Sequence, residues 1–172
     1  FWPNGPYMDI IFEGPPGSGK SVCCVIIHTI VDPNHGMKGT PPRAPDHLIG
    51  QALSHWVLSF DNISKMSSTM SDAYCRLSTG ASFETRKLYT NFGIASFRGK
   101  RPVLFNGISG ITTKENADLL DRSMKIELRR IEKSRPESSI YRMLEDYHPA
   151  ILGLLLDVVS AGYRRLPYTD VG

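Results

Sequence analysis

Apolar and polar residues alternate along the chain in two distinct patterns. Buried strands are predicted for three short, mostly apolar runs, at 8–12, 56–60 and 102–106. A fourth, half-buried strand is predicted at 124–128, where apolar and charged residues alternate. Helical periodicity predicts helices at 22–31, 46–55, 72–79, 112–120, 137–146 and 149–165. Strands alternating with helices predict an α/β fold, with a doubly wound, mostly parallel sheet and helices on both faces.

Two segments interrupt this alternation. Residues 32–45 are rich in proline and glycine, which predicts a long surface loop. Residues 83–97 alternate imperfectly between apolar and polar, with Asn91 and Gly93 near the middle. This pattern predicts a β-hairpin inserted ahead of the strand at 102–106.

Size and composition fit one ordinary globular domain. The chain has 172 residues, of which 41% are hydrophobic and 22% charged. It contains no apolar run of membrane-spanning length and no secretory signal, so a cytoplasmic protein without a membrane partner is expected. Its three cysteines form no C-x-x-C pair and are expected to be reduced core residues. Because the chain begins at Phe1 and ends soon after a helix, we expect a fragment of a longer protein, with residues 1–172 as a single domain.

The first predicted strand leads into a complete phosphate-binding motif, Gly14-Pro15-Pro16-Gly17-Ser18-Gly19-Lys20-Ser21. Glycines let successive backbone N–H groups turn toward one anion, and a helix N-terminus adds partial positive charge there. Lys20 is expected to reach the β- and γ-phosphates, and the Ser21 hydroxyl to bind Mg²⁺. The alternative is a flexible turn between a strand and a helix. The motif and its setting predict a P-loop NTPase domain with ATP and Mg²⁺ as cofactors.

Polar residues follow the next two buried strands. Asp61 is placed to hold Mg²⁺ through water, although it could instead cap a turn. Asn106 could hold the attacking water or the γ-phosphate, or simply form an Asn-Gly turn. Asn62 stands directly after Asp61, where many P-loop ATPases have a glutamate that polarises water. An amide cannot accept that proton, so hydrolysis is expected to be slow unless another acid, such as Glu115, serves as the base.

Basic residues are concentrated in one segment. Residues 76–101 carry six basic side chains and one acidic one, so this segment is +5 within a chain of net charge +3. Arg122 follows a predicted helix, where it could reach the γ-phosphate of a neighbouring subunit. It could also form a surface salt bridge with Asp118 or Asp121.

The order of these parts resembles the superfamily 3 helicases, which are compact AAA+ ATPases of viruses, phages and mobile elements. The resemblance covers about residues 7–166, and the closest likeness is to relatives of phage primase-helicases. It is carried by the phosphate loop, the Asp61 strand, the basic hairpin, the Asn106 strand and Leu119-Leu120-Asp121-Arg122.

The resemblance implies a DNA-acting motor. A hairpin ahead of the asparagine strand would project into the pore of a hexameric ring and grip single-stranded or forked DNA. Arg86 and Lys87 would then contact phosphates and Tyr89 would lie against the strand. The alternative is a solvated hairpin whose charges protect a sheet edge.

Three functions are therefore compatible with the sequence. The first is an ATPase that acts on DNA, with Lys20, Asp61, Asn62 and Asn106 in one subunit and Arg122 from the next. The second is an ATP-dependent assembly switch with little hydrolysis, because of Asn62. The third is a small-molecule P-loop kinase, for which no arginine-rich lid is visible between residues 113 and 120.

Overall fold

The structure, a computed structural model, describes residues 6–33, 39–80, 82–86, 94–107 and 116–165, without the side chains of 83–86 and 94–98. The chain divides into two compact units between Glu132 and Lys133. The prediction of a single ATPase domain stays a prediction.

The first unit contains a parallel sheet, a hairpin and four helices among its described residues. Its strands are β1 (Asp9–Glu13), β2 (Leu58–Phe60), β3 (Ser82–Arg86), β4 (Ile94–Arg98), β5 (Val103–Gly107) and β6 (Ser123–Glu127). Its helices are α1 (Lys20–Val31), α2 (Pro45–Ser54), α3 (Ser68–Thr79) and α4 (Ala117–Asp121).

Four strands pair in parallel in the order β2-β5-β1-β6. In register, Ile11 of β1 lies beside Phe105 of β5, which in turn lies beside Phe60 of β2. Parallel strands cannot be joined by a tight hairpin, so the chain must cross over between one strand of this sheet and the next. The predicted parallel α/β fold is confirmed.

Each face of the sheet has its own apolar core. Ile11, Phe60 and Phe105 pack on one face with buried residues of α2, α3 and α4, and Tyr74 of α3 packs against both phenylalanine rings. Phe12 and Leu104 point to the other face, where they cluster with Cys24 of α1. Because alternate strand residues face opposite sides, both sides of β1 must be covered. The prediction of helices on both faces is confirmed.

The predicted hairpin is present as the antiparallel pair β3 and β4, with Phe83 opposite Phe97. Strand β2 is shorter than predicted, because the N–H groups of Trp56 and Val57 donate to the Asp32 carboxylate instead of a neighbouring strand. Helix α3 begins earlier than predicted, because the Ser67 side chain accepts a hydrogen bond from the Met70 N–H and caps it.

The structure adds detail to three further predictions, which concern β6, the helix predicted at 112–120 and the loop predicted at 32–45. Strand β6 is mostly exposed rather than half-buried, because it lies at the edge of the sheet. Helix α4 accounts for the end of the helix predicted at 112–120, whose residues 112–115 lie outside the described part. The long loop predicted at 32–45 includes a single parallel bridge between Gly39 and Phe60.

The second unit contains α5 (Glu137–Arg165), a helix of 29 residues. Two helices, at 137–146 and 149–165, were predicted here, and the predicted gap between them is wrong. Proline has a fixed φ close to the helical value, so the helix continues through Pro149 although it loses one hydrogen bond and the ring crowds the carbonyl of Glu145.

Candidate nucleotide-binding site

The loop between β1 and α1 has the backbone shape that a phosphate loop requires. Gly17 and Gly19 have φ values of 77° and 81°, in the left-handed region that favours glycine. Gly14 is restricted by space instead, because a Cβ there would collide with the Leu128 carbonyl oxygen and lie 2.9 Å from Ser18 Oγ. Glycine at all three positions is therefore explained by the geometry.

Lys20, the first residue of α1, lies folded against this loop. Its ammonium donates hydrogen bonds to the carbonyl oxygens of Gly14 at 2.8 Å and Pro15 at 2.9 Å, and to Ser18 Oγ at 3.4 Å. The positive charge is thus held at the loop, where a phosphate group could exchange for these acceptors.

The structure brings Ser21 and Asp61 together from elements 40 residues apart, with Ser21 Oγ donating to Asp61 Oδ1 at 3.2 Å. Ser21 lies at the start of α1 and Asp61 directly after β2, and both points are at the carboxyl-terminal ends of the parallel strands. If Mg²⁺ were bound here, Ser21 Oγ would take one coordination position at about 2.1 Å, and Asp61 would hold one of the water ligands. A triphosphate would supply the remaining oxygens.

Asn106 forms the centre of this constellation. Its side chain is 2% exposed, and its Nδ2 donates to Ser21 Oγ at 3.5 Å and lies 3.9 Å from Cys24 Sγ. Its Oδ1 accepts from the Asn62 N–H at 2.9 Å, and its backbone oxygen accepts from the Ile63 N–H. One buried carboxamide therefore connects α1 to the segment that follows β2.

Asn62 has a φ of 57° and is the one non-glycine residue with positive φ among those described. Asparagine tolerates this region better than most residues. Its backbone is fixed by Asn106, while the residue itself is exposed. Glu115, the other acid considered, lies outside the described residues.

Sequence reasoning gave no role to the segment after β6, which the structure places beside the phosphate loop. The Leu128 N–H donates to the Glu13 oxygen at 2.7 Å, and the Ile131 N–H donates to the Gly17 oxygen at 3.1 Å. Arg129 and Arg130 lie between these two anchors and are exposed. The two consecutive arginines were the available signal, but their distance along the chain from the loop hid the relationship.

Two ion pairs between described residues lie at the carboxyl-terminal ends of β1 and β6, near the phosphate loop. Lys125 of β6 lies 3.1 Å from the Glu13 carboxylate and 2.8 Å from that of Glu127. Hydrogen bonds to Glu127 and Glu13 raise the pKa of Lys125. The largely buried Glu13, directly before the loop, therefore has a positive partner.

Arg122 lies at the opposite, amino-terminal end of the parallel strands. Its backbone oxygen accepts from the Asp9 N–H at 3.2 Å, at the amino end of β1. The five residues of β1 separate this point from the phosphate loop, a distance of roughly 16 Å at the usual rise per residue. No salt bridge joins Arg122 to Asp118 or Asp121, all three being described residues. The structure therefore does not bring Arg122 into the site of its own chain.

The predicted DNA contacts are described only in part. Arg86 is the last residue of β3, although its side chain is outside the described set. Lys87 and Tyr89 lie outside the described residues, so their role stays a prediction.

No described helix combines the length and apolar character needed to cross a membrane. In the same part of the chain, no three His, Cys, Asp or Glu side chains are grouped as a metal site.

The fold and the loop geometry define an α/β domain of the P-loop class. A family model described as Actinomycete integrative conjugative element replication protein (AICE_RepA) matches residues 2–165. The chain belongs to this family, which comprises replication proteins of a mobile conjugative element.

Comparison with solved structures finds a JCV helicase crystallised with a thiazolopyridine-containing acetamide compound. The two share 16% sequence identity with a TM-score of 0.49 over 75% of this chain. The matched region spans 38% of the JCV helicase chain. Comparison with curated proteins finds no match.

Proposed function

We propose that this domain binds and hydrolyses Mg²⁺-ATP in order to act on DNA during replication of the mobile element. In this proposal it is an AAA+ ATPase of the superfamily 3 helicase type. The observation that carries the proposal is the meeting of Lys20, Ser21, Asp61 and Asn106 at one edge of the sheet. The family's description as replication proteins supports the choice of DNA as partner.

Each residue has a role that follows from its chemistry. The loop 14–19 offers backbone N–H groups to the phosphates, and Lys20 leaves its carbonyl partners to neutralise the γ-phosphate. Ser21 and Asp61 hold Mg²⁺, which neutralises charge on the β- and γ-phosphates. Asn106 is held in position on both sides, and its Nδ2 would exchange the 3.5 Å contact with Ser21 Oγ for the γ-phosphate or the attacking water.

The assembled state is proposed to be a ring, a hexamer in the full-length protein. Arg122 lies at the edge of the sheet opposite the phosphate loop, so in a head-to-tail ring it can face the nucleotide of the next subunit. The hairpin β3–β4, with Arg86, Lys87 and Tyr89, would contact single-stranded or forked DNA and move with each cycle of hydrolysis.

ATP turnover, measured with and without single-stranded DNA, tests this proposal. We expect turnover stimulated by DNA in the parent and lost in both Lys20→Ala and Arg122→Ala. The matched controls are Lys133→Ala and Arg142→Ala, which remove exposed positive charges of the second unit. Turnover that survives Lys20→Ala would contradict the proposal, as would its loss in the controls.

A second candidate is an ATP-dependent assembly switch that turns ATP over slowly. It is favoured by Asn62, whose amide cannot act as a base and whose backbone is bound to Asn106. Tight ATP binding without turnover, lost in Lys20→Ala, would select the switch. Replacing Asn62 with glutamate would then be expected to raise turnover, because it supplies a carboxylate at the position that polarises water.

A further inference from the structure

A cavity of about 280 Å³ lies apart from the phosphate loop. It is formed by the loop before α2, the loop between β2 and α3, and the first two turns of α3. None of its described lining residues belongs to the motif at 14–21. Ligand pockets in proteins are roughly 300–1,000 Å³, so this cavity suits a small ligand.

The rim of the cavity is positively charged. Arg43 and Lys65 line it from two different loops, and both are exposed. Ser67, also in the lining, caps α3, whose N-terminus adds partial positive charge. The described lining includes no carboxylate to neutralise these groups. The rim therefore favours an anion.

The floor of the cavity is apolar. Ile63, Met70 and Tyr74 are buried there, at 3%, 6% and 1% exposure. Met66 and the pair Pro41-Pro42 form the sides. The accessible apolar surface is therefore that of Met66 and the two prolines, and the Met66 thioether sulfur attracts a flat π-system. A ligand with a planar apolar part and one anionic group therefore fits both the apolar surface and the positively charged rim of the cavity.

The cavity is also connected to the candidate ATP site. Ile63 lines the cavity, and its N–H donates to the Asn106 backbone oxygen at 2.9 Å. The preceding residue, Asn62, donates to the Asn106 side chain. An occupant in contact with residues 63–67 therefore contacts the segment that Asn106 holds beside Ser21.

We propose that this cavity binds one nucleotide unit, with its phosphate between Arg43 and Lys65 and its base on the side of Met66 and Pro41-Pro42. The bound unit is either a free nucleotide or one nucleotide of a DNA strand. The DNA alternative rests on the proposed function. Occupancy would bias the position of the segment after β2, and through Asn106 the ATP site.

The test compares binding of dTMP and of a fluorescent dT oligonucleotide to the full chain. In Arg43→Gln/Lys65→Gln we expect roughly tenfold weaker oligonucleotide binding and a smaller salt dependence, because two phosphate contacts are lost. The matched control, Lys133→Gln/Arg142→Gln, removes the same charge from exposed positions elsewhere and is expected to bind like the parent. A 4-thiothymidine oligonucleotide is expected to crosslink to Met66, the accessible apolar side chain of the lining.

The outcomes separate the possibilities. Binding of dTMP that is lost in the cavity variant identifies a free nucleotide, whereas binding of the oligonucleotide alone identifies a strand. Equal loss in both double variants, or the absence of any crosslink to Met66, would overturn the proposal. ATP binding to the parent protein, measured separately, tests the proposed function. If the parent does not bind ATP, the proposed function fails, but the cavity proposal still depends only on the cavity variant. If the parent binds ATP but the cavity variant behaves like the parent, only the cavity proposal fails.

Discussion

At the scale of single residues, the candidate site depends on the hydrogen bonds that hold the Asn106 side chain in place. Its carboxamide is buried, and both ends of the group are used, one toward Ser21 and Cys24 and the other toward Asn62. A buried amide costs free energy unless its hydrogen bonds are formed. The packing that satisfies Asn106 therefore also fixes the position of Ser21 relative to the segment after β2.

A second buried polar residue, Asp9, makes stability depend on pH. Burial raises the pKa of Asp9 from 3.8 to about 8, partly offset by the hydrogen bond from the Val103 N–H. Between these pH values the folded state keeps a proton that the unfolded state releases, so stability falls as pH rises through this window. Asp9→Asn removes the titration and keeps an acceptor for Val103.

We therefore expect Asp9→Asn to flatten the pH dependence between pH 5 and 8, and to exceed the parent in stability at pH 8 by a few kcal/mol. Urea unfolding at several pH values measures this. The control is Asp46→Asn at an exposed position, which should follow the parent. Parallel curves for all three proteins would contradict the expectation.

Gly14 gives a second prediction at this scale. A methyl group at Gly14 would collide with the Leu128 carbonyl, so Gly14→Ala is expected to destabilise the fold by about 1–3 kcal/mol. Gly50, in the exposed part of α2, has nothing within 4 Å of an added Cβ, and Gly50→Ala should be neutral or stabilising. Thermal unfolding compares the two. Equal changes in melting temperature would show that the contact with Leu128 does not restrict Gly14.

At the scale of elements, the sequence predicted the type of each element better than its ends. The runs at 8–12 and 102–106 correspond to β1 and β5 within one residue at each end. The position at which β2 begins depends on Asp32, which is 25 residues away from Val57 along the chain, so no local pattern could show it. The continuity of α5 through Pro149 was likewise hidden, because proline is compatible with both a break and an uninterrupted helix.

The segment after β6 yields a prediction about nucleotide affinity. Its two anchors to the phosphate loop place Arg129 and Arg130 beside the proposed triphosphate. Charge-assisted hydrogen bonds contribute about 1.5–3 kcal/mol each, so Arg129→Ala/Arg130→Ala is expected to weaken ATP binding at least tenfold. Calorimetric titration with ATP and ADP measures the loss.

The control for this variant is Lys133→Ala/Arg142→Ala, which lowers the net charge equally. If both double variants lose the same affinity, the effect is one of overall charge. If neither loses affinity, the arginines do not contact the nucleotide.

At the scale of the whole molecule, the residues predicted for the site lie at opposite ends of the parallel strands. The phosphate loop, Asp61 and Asn106 lie at the carboxyl edge, and Arg122 lies at the amino edge. Within one chain these groups cannot meet on a single nucleotide. The proposed ring resolves this, since the amino edge of one subunit can face the carboxyl edge of the next.

Mixing two inactive variants tests this arrangement. Lys20→Ala and Arg122→Ala subunits are each expected to be inactive, yet in a mixed ring about one interface in four joins an intact Lys20 to an intact Arg122. We expect turnover in an equal mixture of the full-length proteins to recover to about that fraction of the parent. A mixture that stays at background, while each variant still assembles, would contradict a shared site.

The sequence by itself determined the class of fold and the local chemistry. The periodicity of apolar residues distinguishes strands from helices, and the motif at 14–21 specifies a loop whose glycines and lysine are explained by local backbone geometry. These features depend on residues that are close along the chain, so a single sequence contains them.

Tertiary structure decided which distant residues share a surface. The order β2-β5-β1-β6 placed Arg122 at the opposite end of the strands from the phosphate loop, and Arg129 and Arg130 beside that loop. It also formed the cavity between Arg43 and Lys65. The physical reason is that strand order and loop packing follow from the burial of two apolar faces at once, a property of the whole sheet rather than of any segment.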